Sequence, residues 1–410
     1  MKFNIITLGC KVNSYESNFM KEALIKNGFS FCNENKKCDI LILNTCTVTD
    51  TSDKKNMKEV RRLKRENPNA ILVVCGCSVQ NNKGSYEGYD IDILMGNINK
   101  HNIVNVINEY LDKRTPLEYI AKTRALPFEN MEITSFDHTR AYIKIEDGCD
   151  NFCSYCVIPF VRGVTRSKKF SLAINEAQTL ANNGFKEIVL TGIDTGSYND
   201  EGKDLTDLIK KMSEIDNLLR IRQSSIEITQ ISDKFINELK INDKICNHIH
   251  IPIQSGSKCI LKMMNRKYDL NYFIEKINEI RKVRPDISIT TDIIVGFPGE
   301  TEEMFLETIE TVKKINFSKV HVFPYSERKG TKASMLSGKV KENVKHERVK
   351  KLMELSNELE KNYYNKFKGK KMDVIIEEVT DDYSIGHTSN YLLVKTNEKL
   401  IKGEIYKLTV

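Results

Sequence analysis

The chain has 410 residues, 40% hydrophobic and 29% charged, with a net charge of +7. That length and apolar content suit two or three globular domains and exclude a disordered polyelectrolyte. No apolar run approaches the ~18 residues of a membrane span, and residues 1–10 lack the basic, apolar and small-residue order of a secretion signal, so the expected location is the cytoplasm. Eleven cysteines in a reducing compartment point to metal or redox roles ahead of disulfides. Positive charge is concentrated in two stretches: residues 54–65 carry seven Lys or Arg against one Glu, and residues 339–371 carry eleven against five acidic residues. Such clustering fits a polyanionic partner; a solvated helix face is the plainer reading of either stretch alone.

Residues 1–112 read as strands alternating with helices. The short apolar runs 3–8, 40–43 and 71–74 are continuous, as in buried parallel strands. Helical patterns over 14–27 and 53–66 separate them, stopped by Gly28 and Pro68. A strand at 92–95 and a helix over 100–111 complete a doubly wound parallel sheet, the first layer of an α/β fold. Each of the first three strands runs into a cysteine: Cys10, Cys46 and Cys77. Sites in open parallel sheets gather beyond the carboxyl ends of the strands, so these three predict a metal-ligating set; three buried structural cysteines is the competing reading. Cys75, two residues before Cys77, is open to the same side of its strand, while Cys32, Cys38, Cys246 and Cys259 read as ordinary. In the helix after Cys46, Lys54, Lys55, Lys58, Arg61, Arg62 and Arg65 recur every three or four residues and share a face, with Met57 and Val60 on the packing side. Lys54, Lys58, Arg61, Arg62 and Arg65 are therefore candidate contacts to an RNA backbone.

Residues 113–137, with Pro116 and Pro127, read as an irregular linker. From 138 to 367 the pattern alternates again. Strands are expected at 141–146, 187–191, 220–224, 248–253, 288–295 and 319–323, with helices at 172–183, 205–212, 233–241, 272–284 and 302–315. Six strands predict a partial parallel (β/α)6 barrel. Polar residues and glycines recur at its strand ends, among them Gly192, Ser225, Glu227, Gln254 and Gly296, which favours a site on one rim.

The first of these strands leads into Gly148-Cys149-Asp150-Asn151-Phe152-Cys153-Ser154-Tyr155-Cys156, a C-x3-C-x2-C loop. Three thiolates in one short loop suit an iron–sulfur cluster, which four ligands normally hold, and leave one iron open. A zinc knot needs a fourth Cys or His close by; the next His downstream is His248, and His138 lies on the predicted linker. Structural cysteines are the third reading.

A helix is expected over 341–367, with Leu352, Leu355, Leu359 and Tyr363 as an apolar stripe. Short strands at 373–378, 385–387, 391–396 and 404–410 predict a small antiparallel barrel over 368–410. Residues 369–410 hold six Lys and seven acidic residues, so the basic charge lies on the preceding helix.

The C-x3-C-x2-C loop, with Tyr155 before its last cysteine, resembles the signature of the radical S-adenosylmethionine (SAM) enzymes. Around it, Thr7-Leu8-Gly9-Cys10-Lys11-Val12-Asn13, Asn44-Thr45-Cys46, Gly76-Cys77, Ile251-Pro252-Ile253-Gln254-Ser255-Gly256-Ser257, Met264-Asn265-Arg266 and Val322-Phe323-Pro324-Tyr325-Ser326 occur in order. Together they resemble the radical SAM methylthiotransferases over essentially the whole chain. Leu8 to Asn13 resembles the branch acting on N6-threonylcarbamoyladenosine at position 37 of tRNA. The branches acting on isopentenyladenosine-37 and on a ribosomal-protein aspartate carry other residues around that first cysteine.

The resemblance implies two [4Fe-4S] clusters. One, on Cys149, Cys153 and Cys156, cleaves SAM; an auxiliary one sits on Cys10, Cys46 and Cys77. It places Tyr155 against the adenine end of SAM, with Gly192, Ser225, Glu227, Gln254 and Gly296 lining its pocket. The implied reaction abstracts the adenine C2 hydrogen and installs a methylthio group, using two molecules of SAM. The implied partners are the tRNA anticodon loop and separate electron and sulfur donors. The C-terminal module resembles the RNA-binding TRAM domain, a plain packing module being the alternative. A non-catalytic iron–sulfur protein that binds RNA is the rival from another class.

Overall fold

The computed structural model describes residues 1–35, 38–122 and 127–410. Strands β1 (Lys2–Thr7), β2 (Ser30–Phe31), β3 (Ile40–Thr45), β4 (Ile71–Gly76), β5 (Ile93–Met95) and β6 (Leu117–Tyr119) form one parallel sheet in the order β2–β1–β3–β4–β5–β6. Its strands alternate side chains between two cores. Ile40, Ile42, Ile71, Val73 and Cys75 share a core with Met20 and Leu24 of helix α1 (Lys11–Lys26). Leu41, Leu43, Leu72 and Val74 pack with Val60 and Leu63 of helix α2 (Asp50–Glu66). Both faces are covered, as an all-parallel sheet requires. The direction in which successive strands are added reverses between β1 and β3, the switch point where such sheets open a crevice at their carboxyl ends.

Helix α2 starts where the sequence supplies a cap. The Thr49 hydroxyl accepts the Ser52 N–H at 3.1 Å, a contact worth about 1 kcal/mol. Asp50 and Asp53 open the helix and Lys64 and Arg65 close it, in accord with its dipole.

Residues 113–137 differ from the expected irregular linker. Leu117–Tyr119 pairs in parallel with β5 as the sixth strand. Met131 and Ile133 are buried in the barrel core. Glu22 of α1 accepts the backbone N–H groups of Thr134 and Ser135, both at 2.9 Å. Three-residue strands and single buried side chains are too short to register as periodicity. Residues 123–126 of that stretch lie outside the described residues.

The central strands are Ala141–Lys144, Glu187–Thr191, Arg220–Gln223, His248–His250, Ser288–Val295 and Lys319–Pro324. They form two parallel triplets that meet through the single bridges Ile221↔Ile245 and Ser225↔His250. This is the expected six-stranded partial barrel. Ile143, Ile188, Ile221, Ile249, Ile289 and Ile293 belong to its main core. The helix Glu342–Asn365 buries Leu352 and Leu359 against it.

The last four strands, Lys371–Val379, Ser384–Thr388, Leu393–Thr396 and Ile405–Thr409, make an antiparallel sheet. Among the described residues no ladder joins its two edges. It packs on the floor of the barrel. Arg220 donates to the Asp373 carbonyl at 2.6 Å and Arg222 to that of Ser389 at 3.0 Å, and the Arg222 guanidinium lies 4.0 Å from the Tyr391 ring centroid. No helix among the described residues is long and apolar enough to cross a membrane.

Candidate active site

Cys10, Cys46 and Cys77 follow the adjacent strands β1, β3 and β4. Two glycines bring them together. Gly9 has φ +111° and lies so near Cys46 that a Cβ would meet its Cβ at 2.7 Å. Gly76 has φ +107°, and its Cβ would meet the Thr45 carbonyl oxygen at 2.6 Å. The bend at Gly76 also separates the two neighbouring thiols: Cys75 stays in the strand and enters the core, whereas Cys77 opens a short helix. Asn13 ties the loops, its amide donating to the carbonyls of Leu8 at 2.8 Å and Thr45 at 2.9 Å.

Burial pushes the Cys10 thiol up and the Cys46 thiol up to about 11; Cys77 adds to both, and Arg162 opposes it. Arg162 donates to Cys77 Sγ at 3.3 Å, as does Asn97. The guanidinium belongs to a buried network that crosses from the barrel to the first domain. Arg162 pairs with Glu16 at 3.0 Å and Asp147 at 3.1 Å, Lys144 with the same two at 3.1 and 3.3 Å, and Lys100 with Glu16. Three cations thus face two carboxylates. Burial pushes the Glu16 carboxyl up, but Arg162, Lys100 and Lys144 outweigh it and hold it well below the usual range. The surplus positive charge, beside three thiols and the uncapped N-terminus of α1, suits an anionic metal–thiolate group.

The second thiol set is local. Gly148 has φ +90°, and a Cβ there would lie 2.1 Å from the Val164 carbonyl oxygen. The Cys156 N–H donates to the Cys153 carbonyl at 3.0 Å, folding the loop into a turn. Each sulfur receives a nitrogen donor: Cys149 from the Asn151 side chain at 3.4 Å, Cys153 from Arg266 at 3.3 Å, and Cys156 from the Ile158 N–H at 3.5 Å. Such donors stabilise thiolate and set the potential of a cluster bound there. Burial drives the Cys149 thiol up and that of Cys156 up to about 12, the protonated state that a bound metal reverses.

Beside this loop lies a cavity of about 220 Å³ lined by Val48, Thr49, Tyr155, Cys156, Gln254 and Asp292 among others. Val48 and Thr49 lie two and three residues after Cys46, so the segment behind that cysteine and the loop residue Cys156 line one cavity. It opens along Phe323–Ser326 into a groove of about 810 Å³ that reaches Lys54, Lys329 and Lys345. At the neighbouring strand ends, Glu146 Oε1, Asp194 Oδ1, Gln223 Oε1 and Ser224 Oγ are buried without a partner. Four unsatisfied polar atoms on one rim are costly unless a ligand completes them; three are carbonyl or carboxylate oxygens, suited to a donor-rich ligand.

The remaining sequence candidates fall in different places. Glu227 binds Arg266, the donor to Cys153, and Ser225 bridges to His250 on the adjacent strand. Gly192 makes room for Glu146, whose Oε2 accepts the N–H groups of Ile193 and Asp194 at 2.8 and 2.6 Å. At Gly296 a Cβ would meet Lys345 of the long helix at 2.4 Å. On α2, Lys54, Lys58, Arg61 and Arg65 are exposed, whereas Arg62 is half-buried and held by Glu59 and Glu66 at 2.5 and 2.9 Å. Arg62 thus leaves the exposed stripe, in which Lys54 pairs with Asp50 at 2.6 Å and Arg61 donates to the Tyr89 hydroxyl at 2.6 Å.

Arg162, Glu16, Asp147 and Arg328 escaped the sequence reading because lone charges carry no periodicity. Arg328 joins the barrel to the first domain, donating to Asp53 and Thr47 at 2.6 Å each. His250, Asp292 and His321, on the barrel lumen, bring ligand atoms within 4.8 Å of one another, and His250 is already paired with Asp292 at 3.2 Å.

Comparison with known proteins agrees with this arrangement. Residues 2–96 match the uncharacterized protein family UPF0004 and residues 143–312 the radical SAM superfamily. The threonylcarbamoyladenosine tRNA methylthiotransferase MtaB of Bacillus subtilis is 41% identical over 98% of this chain and 92% of its own. The Aquifex aeolicus protein of the same name is 36% identical over the full length of both. A tRNA-2-methylthio-N(6)-dimethylallyladenosine synthase of Clostridium botulinum is 36% identical over 100% of this chain and 96% of its own. Among solved structures, the radical SAM methyltransferase TsrM of Kitasatospora setae superposes with a TM-score of 0.59 at 12% identity, covering 78% of this chain and 72% of its own; this is a likeness of fold. With cysteine sets at both strand-end sites and relatives aligned end to end, the chain belongs to the radical SAM methylthiotransferase family.

Proposed function

We propose that this protein converts N6-threonylcarbamoyladenosine at position 37 of tRNA to its 2-methylthio derivative. The observation that carries the reading is the cavity lined both by the segment behind Cys46 and by Tyr155 and Cys156. The names of the Bacillus subtilis and Aquifex aeolicus relatives, at 41% and 36% identity, supply the substrate. Cys149, Cys153 and Cys156 would hold one [4Fe-4S] cluster and Cys10, Cys46 and Cys77 the other. When bound, the clusters and SAM supply the one-electron chemistry that exchanges an unactivated C–H for C–S, beyond the reach of any acid–base pair.

The chain's own residues bind and orient. Asp194, Glu146 and Gln223 offer acceptors to the donors of SAM, and Arg266 fixes the Cys153 side of the loop through Glu227. Tyr155 and Ile294 give the cavity an apolar lining. The target base leaves the anticodon-loop stack to enter it, as loop bases do with little unpairing. External electron and sulfur donors complete the reaction, and a tRNA substrate places it in the cytoplasm.

Deleting the gene and digesting bulk tRNA for mass spectrometry tests the reading. 2-Methylthio-N6-threonylcarbamoyladenosine disappears and its precursor accumulates; unchanged levels of both, in a strain without a paralogue, overturn it. The Clostridium botulinum relative supports dimethylallyladenosine as the second reading, and loss of that product instead would select it.

The exposed face of α2 begins at the groove and tracks the phosphate backbone in this reading. Each lost phosphate contact lowers the salt slope of RNA binding by about 0.7–0.9, so reversing Lys58, Arg61 and Arg65 to Glu lowers it by roughly 2–3. An unchanged slope would remove α2 from the RNA interface.

A further inference from the structure

Below the cavity beside Cys156 lies a second chamber, of about 560 Å³, lined by Lys11, His248, His250, His321, Tyr363 and Tyr391 among others. Its volume falls within the ~300–1,000 Å³ of ligand pockets. The two spaces share a wall, because Asp292 lines the upper one and pairs with His250 of the lower. Helix Glu342–Asn365 and the C-terminal sheet close the floor with Tyr363 and Tyr391.

Lys11 enters this chamber from the first domain, one residue after Cys10. Both residues are exposed to solvent, Lys11 at this chamber. Among the described residues, nothing hydrogen-bonds or ion-pairs with the Lys11 ammonium. The nearest acids are already engaged: Asp292, on the shared wall, by His250 at 3.2 Å, and Glu360, of the chamber itself, by Lys319 at 2.8 Å. Arg140 and Arg222 stack on Tyr391 at 5.1 and 4.0 Å; with Arg220 they share only the Glu187 and Glu377 carboxylates, which leaves one net positive charge behind the ring. An unpaired ammonium in a concave site with net positive charge beside it is a site for an anion.

We propose that the lower chamber receives the N6 substituent of the target base and that Lys11 binds its carboxylate. This rests on the threonylcarbamoyl reading of the substrate. That substituent carries a carboxylate, a hydroxyl and a urea, which suit an ammonium, imidazoles and tyrosine hydroxyls. A dimethylallyl group has no charge and would strip water from the ammonium without replacing it. Lys11 is then a specificity-determining residue, placed beside a ligand of the auxiliary cluster so that recognition of the substituent and delivery of sulfur share one helix start.

The test uses the reconstituted full chain and anticodon stem–loop RNAs of one sequence. Position 37 carries N6-threonylcarbamoyladenosine, its methyl ester, or N6-isopentenyladenosine, and affinity is read by fluorescence anisotropy. A charge-assisted contact predicts that the free acid binds roughly 10- to 100-fold tighter than the ester. Lys11→Met brings that ratio towards one, and Lys11→Arg retains most of it. The ester comparison on the unaltered protein needs no substitution, so a folding defect cannot imitate the result. Equal binding of acid and ester by the unaltered protein, or a ratio kept in Lys11→Met, overturns the proposal. Mass spectrometry of the reacted RNAs separates the two ideas. Methylthiolation of the threonylcarbamoyl RNA with no acid-over-ester preference removes only the role of Lys11. Methylthiolation of the isopentenyl RNA alone removes the substrate reading and the proposal with it.

Discussion

Replacing Cys10, Cys46 and Cys77 together by alanine is expected to halve the iron of the reconstituted protein, from about eight to about four atoms per chain, the content of one four-iron cluster. The variant should still cleave SAM reductively to 5′-deoxyadenosine and should form no methylthiolated nucleoside. Replacing Cys149, Cys153 and Cys156 is expected to halve the iron as well, but to abolish both SAM cleavage and product. The asymmetry follows from the architecture. The loop set is built within nine residues and braced by Gly148, Arg266 and Met264, whose carbonyl accepts the Ser154 N–H at 3.0 Å. None of those contacts passes through the first domain. The strand-end set depends on β1, β3 and β4 and does not touch the loop's donors. Loss of SAM cleavage in the first variant would show that the two sets are not separable and would overturn this assignment.

Arg162→Met is expected to lower stability by ~3–5 kcal/mol, the usual result of removing one member of a buried charge network, and the apparent Tm by roughly 4–6 °C. Its guanidinium makes buried contacts to Glu16, Asp147, Asn13 and Cys77, joining the barrel to the first domain. A methionine fills the space but returns none of them. Arg162→Lys restores the charge without the planar fork and should recover less than half of the loss. Differential scanning fluorimetry checks both, and a Tm within ~2 °C of the parent for Arg162→Met would sink the idea at this scale.

Acid sensitivity supplies a second readout. The Glu16 carboxyl is held below its ordinary range, so the unfolded chain takes up a proton there at higher pH than the folded one. Its contribution is present at neutral pH and is lost as pH falls below the ordinary carboxylate range. Without Arg162 that loss begins at higher pH, which moves the acid-unfolding midpoint upward.

The loop cysteines were legible because C-x3-C-x2-C is a local pattern: three residues close in sequence are close in space whatever the fold. The strand-end cysteines were legible by a different rule, that parallel strands deliver their carboxyl ends to one edge. That rule left Cys75 and Cys77 unresolved. Alternation along β4 gives both the same side, and only the turn at Gly76 separates them. Met57 and Val60 were correctly placed on the inner side of α2, since helical spacing fixes what shares a face. Spacing says nothing about Glu59 and Glu66 reaching across to occupy Arg62. The rim glycines illustrate the same limit: Gly192 yields space to Glu146 and Gly296 to Lys345, two neighbours no pattern names.

By itself, then, the sequence determined the α/β alternation, the six barrel strands, the two cysteine sets and the family resemblance, all carried by periodicity or by short-range spacing. Only the tertiary structure decided that the segment behind Cys46 and the loop residue Cys156 line one cavity and that Cys75 belongs to a core. It also placed five buried charges between the domains and left Lys11 unpaired beside Cys10. Those facts depend on which side chains, 85 to 149 residues apart in the case of Arg162 with Cys77, Glu16 and Asn13, meet after the chain has packed. A buried charge is held by whatever partner the fold brings within ~4 Å, and that distance is a property of the packed chain alone.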